Sequence, residues 1–150
     1  EILRCLVGSE MCIRDRFRGK RDDTGEWIEG NLRQDKDLGK SYILGWDYYE
    51  EDWELQREPF ECEVIPESVG QYTGLTDIDG VKIYEGDIVQ LDYITTAGKH
   101  RIGLSFEVKW CAKEGCWVGW DGFVENTIQQ TCKMFVVKGN IYDNPELINE

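Results

Sequence analysis

The chain has 150 residues, of which 30 are Asp or Glu and 17 are Lys or Arg, so its formal net charge at pH 7 is −13. A surface this negative repels phosphate backbones and acidic lipids, which argues against ordinary nucleic-acid or membrane-surface binding. Hydrophobic residues make up 41% of the chain, enough for a folded core. No apolar run reaches the roughly 18 residues of a membrane-spanning helix.

The N-terminal segment, residues 1–16, differs in character from the rest. Its apolar stretch is short and interrupted by charges, which does not fit a signal peptide. Residues 6–16 back-translate into a DNA sequence that looks like a transposase adapter used in sequencing libraries. We therefore expect residues 1–16 to be a disordered, non-native segment, and we base the fold prediction on the remainder.

Short apolar runs separated by glycine-containing turns dominate residues 17–150, a pattern typical of small all-β proteins. Residues 101–110 alternate between apolar and polar or small side chains, which predicts a strand with one buried face. The apolar positions of this strand are Ile102, Leu104, Phe106, Val108 and Trp110. A hairpin loop over residues 95–99 is predicted to join it to a strand over residues 87–94.

Other apolar runs predict further strands, and helix is expected only in single turns. The strands are predicted at residues 27–32, 41–46, 62–65, 116–120 and 135–142. Pro66 and Pro145 each stand where a proline can begin a helical turn, so short turns are predicted at residues 66–69 and 145–148.

An acidic, aromatic segment interrupts this pattern at residues 47–61. It contains seven acidic residues and a single basic one, Arg57, for a local net charge of −6. Carboxylates interleaved with aromatic rings can offer a basic partner both charge attraction and stacking. The structural interpretation, which the residues alone favour, is a solvated loop or edge hairpin whose rings pack back on the protein. The candidate partner-binding residues are Trp46, Tyr48, Tyr49, Glu50, Glu51, Asp52 and Trp53.

The sequence shows none of the residue patterns that are typical of catalytic sites. The single histidine, His100, is placed in the predicted hairpin loop beside Lys99 and Arg101 and is expected to be an exposed turn residue. There is no Gly-rich phosphate loop, no serine elbow and no metalloprotease helix motif. We therefore expect a protein without enzymatic activity and without a cofactor.

Four cysteines lie outside the N-terminal segment, at Cys62, Cys111, Cys116 and Cys132. The spacing of Cys111 and Cys116 resembles that of metal ligands, and the other two cysteines would complete a four-thiolate zinc site. The same spacing is typical of two residues that face each other across a hairpin turn. Structural zinc sites usually present two close pairs, so we favour reduced structural thiols in a cytoplasmic protein and leave the zinc site as the alternative.

Three blocks of the sequence resemble the YopX family of phage and prophage proteins. The first block is FRGK at residues 17–20 with GEWIEG at residues 25–30. The second is VIPESVGQYTGL at residues 64–75, followed by Asp77, Gly80 and KIYEGDIV at residues 82–89. The third is KGNIYDNPEL at residues 138–147. Ser68 stands where Thr is common in the family.

The resemblance implies a mainly β protein with little helix. Residues 17–70 would form a β-rich N-terminal portion and residues 71–150 a C-terminal SH3-like small β-barrel. The resemblance carries no enzymatic activity, cofactor or catalytic residue. Within the second block, Gly86 is expected to adopt a backbone conformation closed to other residues, and Asp87 to bond nearby backbone amides.

The functional prediction is an interaction protein of phage or prophage origin that acts in the bacterial cytoplasm. Its partner would be a host or phage protein, bound through the acidic aromatic residues. The first alternative is a nucleic-acid accessory protein that stacks single strands on its aromatic side chains. The second is an uncharacterised carboxylate-based enzyme. The basic residues available for the first alternative are Arg18, Lys20, Arg21 and Arg33.

Overall fold

The structure, a computed structural model, describes residues 16–120, 125–128 and 131–148. The predicted disordered segment, residues 1–16, lies outside the described residues except for Arg16. Among the described residues strands dominate and helix is limited to short 3₁₀ turns, so the expectation of a mainly β protein is confirmed. The turns are Pro66–Ser68, Cys132–Met134 and Pro145–Leu147. The strands are β1 Phe17–Lys20, β2 Trp27–Asp35, β3 Lys40–Glu51, β4 Glu54–Val64, β5 Gly70–Thr76, β6 Lys82–Tyr84, β7 Asp87–Ile94, β8 His100–Cys111, β9 Cys116–Trp120, β10 Glu125–Thr127 and β11 Phe135–Asn140.

The chain divides into two compact units, one up to Gln71 and one from Tyr72 onward. The described strands form two antiparallel sheets. Strand β5 contributes to both units, because Gly70 and Gln71 pair with β1 whereas Tyr72 and Thr76 pair with β6. No described helix has the length and hydropathy needed to cross a lipid bilayer.

The first unit is a single sheet in the order β4-β3-β2-β1, continued by the first residues of β5. Side chains alternate between its two faces because successive residues of a strand point in opposite directions. On β3, Ser41 and Ile43 are buried, whereas Tyr42 and Leu44 between them are half-buried. We call the face that carries Ile43 the inner face and the face that carries Tyr42 the outer face. The inner face also buries Val64.

Strands β3 and β4 form a hairpin that extends beyond the rest of this sheet. Their pairing is continuous from Ser41 with Val64 to Glu51 with Glu54. Strand β2, in contrast, pairs with β3 only as far as Leu44. We call residues 45–60, the part of the hairpin beyond this point, the arm. The acidic segment is thus a hairpin, which is one of the two structures that the structural interpretation allowed. Strands β3 and β4 are longer than predicted.

The second unit contains a five-stranded sheet in the order β10-β9-β8-β7-β11 and a continuous apolar core. Among the described residues the outer strands β10 and β11 do not pair with each other, so the sheet is open and forms no closed barrel. This open arrangement does not confirm the SH3-like barrel, which stays a prediction. The buried side chains of this core are Ile83, Val89, Phe106, Val108, Trp117, Ile128, Cys132 and Phe135.

Strand β8 confirms the predicted strand over residues 101–110 but not its single buried face. Phe106 and Val108 are buried, whereas Ile102 and Leu104 are exposed. The pairing of β8 with β7 shifts by one residue opposite Leu91. A bulge adds one residue to one strand and moves the following side chains to the opposite face. The prediction that Ile102 and Leu104 are buried is therefore wrong, because period-two alternation assumes a strand without a bulge.

The turn before β7 behaves as the sequence predicts. Gly86 has a φ of +88°, a left-handed conformation that strongly favours glycine. The buried Asp87 side chain accepts a hydrogen bond through Oδ2 from the backbone N–H of Tyr84, at 2.8 Å. The central family-like block thus serves to shape a turn and begin a strand.

A second buried carboxylate, that of Asp77, organises the turn between β5 and β6. It is fully buried and accepts hydrogen bonds from three backbone N–H groups. Two of these groups belong to the turn, and the third belongs to β11, so one side chain joins both elements. The donors are Asp79, Val81 and Val137, at 2.9, 2.9 and 3.0 Å.

Candidate functional site

All seven candidate partner-binding residues lie on the arm. The four aromatic side chains among them do not pack back on the protein, which contradicts that part of the structural interpretation. Trp53 is 95% exposed and Tyr48 is 61% exposed, and the rings of Trp46 and Tyr49 are exposed as well. Burying such a ring stabilises a fold by about 1.5–3 kcal/mol, so an exposed group of four contributes little to folding.

The alternation of β3 divides the seven residues between the two faces of the sheet. Trp46, Tyr48 and Glu50 share the outer face with Tyr42, whereas Tyr49 and Glu51 lie on the opposite side. The predicted site is therefore not one continuous patch. The outer face carries two of its rings side by side along β3, and this face is the better candidate for a binding surface.

The tip of the arm is a two-residue turn formed by Asp52 and Trp53. Their φ values are +52° and +65°, as in a type I′ hairpin turn. Asn and Gly are usual at these positions, whereas a left-handed conformation destabilises a bulky side chain by about 1–2 kcal/mol. No burial of the Trp53 ring offsets this strain, since the ring is 95% exposed. A strained and exposed residue of this kind points to a role outside folding.

The outer face already stacks arginines on aromatic rings, each time between two neighbouring strands. Such cation–π contacts are favourable when the cation lies within about 6 Å of the ring centre. Tyr48 continues this row along β3, and its ring carries no guanidinium from the described part of the chain. The stacked pairs are Arg18 on Trp27 at 4.8 Å, Arg33 on Tyr42 at 4.2 Å and Arg57 on Trp46 at 4.3 Å.

An open cleft of about 510 Å³ lies where β2 and β3 separate. Its volume is in the range of ligand-binding pockets, about 300–1,000 Å³. Leu44, Trp46 and Tyr48 contribute apolar and aromatic surface from β3. The polar side chains that line the cleft are Arg16, Glu29 and Asn31.

Two glycines allow the strands to approach closely at this cleft. A Cβ atom at Gly30 would overlap the backbone carbonyl oxygen of Leu44, and one at Gly45 would lie 2.7 Å from the ring of Phe60. The cleft was not predicted from the sequence. The available signal was two glycines inside predicted strands, which often mark a close backbone approach.

Comparison with known proteins identifies the family of the chain. The YopX protein family matches residues 16–149, which is nearly the whole sequence. The chain belongs to the YopX family. The resemblance found in the sequence is thereby confirmed.

A solved structure is similar to this YopX protein in fold. The crystal structure of protein EF1440 from Enterococcus faecalis superposes with a TM-score of 0.54 and is 24% identical in sequence. The similarity covers 89% of this chain and 96% of that chain. No curated protein matches the sequence. At this level of identity the likeness describes the fold and carries no activity.

The basic cluster considered for nucleic-acid binding is largely engaged inside this YopX protein. Arg18 stacks on an aromatic ring, and Arg21 forms an ion pair with Asp23 at 2.8 Å. Arg33 stacks on a ring and also forms an ion pair with Glu61 at 2.5 Å. This hydrogen-bonded carboxylate raises the pKa of Arg33 above its ordinary value. These contacts leave less positive charge for a phosphate backbone.

The cysteines do not form a metal-binding cluster in the described part of the chain. Cys111 and Cys116 are direct partners across the β8–β9 hairpin, which is the non-metal explanation of their spacing. Cys132 lies in the second 3₁₀ turn and Cys62 on β4. Within residues 16–120, 125–128 and 131–148, no three His, Cys, Asp or Glu side chains are grouped to hold a metal ion.

His100 is the first residue of β8 and is exposed. Its Nε2 atom lies 2.5 Å from Oδ1 of Asp92 on the neighbouring strand. The expectation of an exposed residue is confirmed, although the residue belongs to the strand and not to the loop. The loop itself is confirmed by a hydrogen bond from the N–H of Thr95 to the carbonyl of Lys99, at 2.8 Å.

Proposed function

We propose that this YopX protein is a non-enzymatic interaction protein whose arm binds a basic segment of a host or phage protein. The observation that carries the proposal is the exposure of the arm's aromatic rings, with Trp53 95% exposed. These rings stand in a segment with seven acidic residues and one basic residue. The phage or prophage origin and the bacterial cytoplasm belong to this proposal.

The chemistry of the arm favours a cationic partner. Carboxylates attract a basic segment over distances of about 10 Å, and exposed rings then gain contact area and cation–π energy when the partner binds. The same carboxylates repel acidic proteins and acidic lipid headgroups. A segment rich in Arg or Lys therefore fits both properties of the arm.

Capture of proteins from host-cell lysate tests the proposal when charge is removed from the arm. We expect a Glu50→Gln/Glu51→Gln/Asp52→Asn variant to lose its captured partner, because three negative charges are removed from the arm. The control variant Asp37→Asn/Asp79→Asn/Glu114→Gln removes the same charge at exposed positions outside the arm. An identical set of captured proteins with wild type, arm variant and control would show that the arm is not the binding surface.

The SH3-like barrel is the structural part of the proposal. The second unit supports it with five antiparallel strands and one continuous core. A crystal structure in which the two ends of this sheet meet would establish the barrel. An open sheet in such a crystal structure would show instead that the family resemblance overstates closure.

A further inference from the structure

The arm leaves one edge of β3 without a partner strand. From Gly45 to Glu51, β3 pairs with β4 on one side, whereas its pairing with β2 ends at Leu44. Among the described strands, none pairs with this stretch on the β2 side. Every second residue of such an edge presents a backbone N–H and C=O that can join an added strand.

The other edge of the arm, formed by β4, is less suited to strand addition. Pro59 lacks a backbone N–H and therefore cannot donate a hydrogen bond to an added strand. Strand β3 contains no proline. Its free edge also borders the cleft of about 510 Å³, so a strand added there would have space for side chains beside Trp46 and Tyr48.

We propose that a basic peptide in extended conformation binds by adding a strand to the β3 edge between Gly45 and Glu51. One of its arginine side chains would lie on the ring of Tyr48. This inference rests on the proposed function and names the binding mode of the same arm. Main-chain hydrogen bonds would provide affinity, and the ring would provide selectivity for a cation.

The sheet itself contains the precedent for this arrangement. Arg33 on β2 stacks on Tyr42 of the neighbouring β3, at 4.2 Å from the guanidinium carbon to the ring centre. A strand added beside the arm would occupy the same side of β3 as β2 does. An arginine on this added strand would make the same cross-strand contact with Tyr48, which lies two residues beyond Trp46 on the same face of β3.

Charge selects a basic peptide over a second copy of this chain. Two arms placed edge to edge would each bring the −6 net charge of residues 47–61, so they repel each other. The cleft also contains Arg16, which directly precedes Phe17, the partner of Gly30. The peptide cation is therefore placed at the Tyr48 end of the cleft.

Binding of synthetic peptides to the full chain tests the inference. The probe is a peptide of about seven residues, the length of the free edge, that alternates Arg and Thr. One control peptide alternates Glu and Thr. A second control keeps the Arg–Thr sequence but carries N-methyl groups on every backbone amide, which preserves charge and removes the N–H donors needed for strand pairing on either edge.

We expect the Arg–Thr peptide to bind and to slow hydrogen exchange at amides between Gly45 and Glu51. The N-methylated peptide is expected to bind more than about tenfold more weakly, because the main-chain hydrogen bonds are lost. Equal affinity of these two peptides would overturn strand addition while leaving charge-driven binding at the arm intact. Binding of neither peptide would overturn both proposals, and protection that grows with protein concentration alone would identify a second copy as the occupant.

Substitution of a single ring tests the placement of the cation. Tyr48→Thr removes the ring and keeps a residue that favours strands. We expect it to weaken binding of the Arg–Thr peptide by about fivefold, the size of one cation–π contact. The matched control is Tyr49→Thr, on the opposite face of the same strand, which should leave the affinity unchanged. Equal effects of the two substitutions would place the cation elsewhere.

Discussion

Aromatic side chains have opposite surroundings in the two units. In the second unit, the rings of Phe106, Trp117 and Phe135 are buried in one core, and Phe106 and Phe135 meet edge to face at 5.9 Å. In the first unit, the rings of the arm project into solvent at the end of a hairpin that extends past its neighbouring strand. Aromatic burial therefore stabilises the second unit, whereas the arm keeps its rings available for another molecule.

The largest expected effect comes from the buried carboxylate of the second unit. Asp77→Ala leaves three backbone N–H donors without their acceptor, and we expect a loss of about 3–5 kcal/mol in unfolding free energy. Urea denaturation followed by tryptophan fluorescence measures this loss. Asp79→Ala, an exposed neighbour whose side chain makes no described hydrogen bond, is the control and should change stability by less than about 0.5 kcal/mol. A loss below about 1 kcal/mol for Asp77→Ala would show that this carboxylate contributes little to the stability of the fold.

The next largest effect compares the loss of a buried side chain in the second unit with the loss of an exposed side chain on the arm. Ile88→Ala creates a cavity at a fully buried position of β7, and we expect it to lower unfolding free energy by about 2–4 kcal/mol. Leu55→Ala removes a side chain that is 75% exposed on the arm and should cost less than about 0.5 kcal/mol. Similar losses in urea denaturation for both variants would mean that the arm is part of the folding core.

A substitution at the tip of the arm should separate strain from binding. Trp53→Gly removes the steric strain of a left-handed backbone conformation. We expect this to raise the free energy of local opening of the arm by up to about 1 kcal/mol, so that amide hydrogens of the arm exchange more slowly. Trp53→Ala also removes the ring but keeps the Cβ atom, and it should not slow the exchange. Both variants should capture less partner than wild type. Faster exchange in Trp53→Gly would show that the ring supports the hairpin.

The smallest expected effect concerns a partly buried acid on β8. Burial raises the pKa of Glu107 above its ordinary value of 4.5, Lys109 opposes this, and the carboxylate of Glu85 adds to it. The folded state then holds the proton more tightly than the unfolded state, so stability falls as pH rises through the raised pKa. We expect Glu107→Gln to melt at a slightly higher temperature at pH 7, with the gain disappearing below pH 4.5. A lower melting temperature at pH 7 would show that the attraction of Lys109, whose Nζ lies 3.8 Å from Oε1 of Glu107, dominates.

Local patterns predicted the bounds of some strands, including β7, whose pairing with both neighbouring strands is interrupted by register shifts. The bounds of β7 and β9 match the predictions, because their alternation and glycine turns are contained in the segment itself. The exposure of Ile102 could not be predicted, since the bulge opposite Leu91 depends on how two strands pair. Alternation fails at such a position although the strand continues.

The candidate site shows the same division between local and non-local information. Composition identified the arm residues, yet the length of β3 and β4 depends on cross-strand pairing that acidic residues and Pro59 do not suggest. The cleft arises because β2 changes its partner from β1 to β3 between Gly30 and Asn31. No segment of the sequence alone contains that change.

The two glycines of the cleft have different consequences for natural variation. A side chain at Gly30 meets the backbone of Leu44, which can yield only if β2 and β3 lose their register. A side chain at Gly45 meets only the ring of Phe60, which can rotate aside. In a saturation mutagenesis library selected for folding, position 30 should therefore accept glycine alone, whereas alanine and serine should survive at position 45.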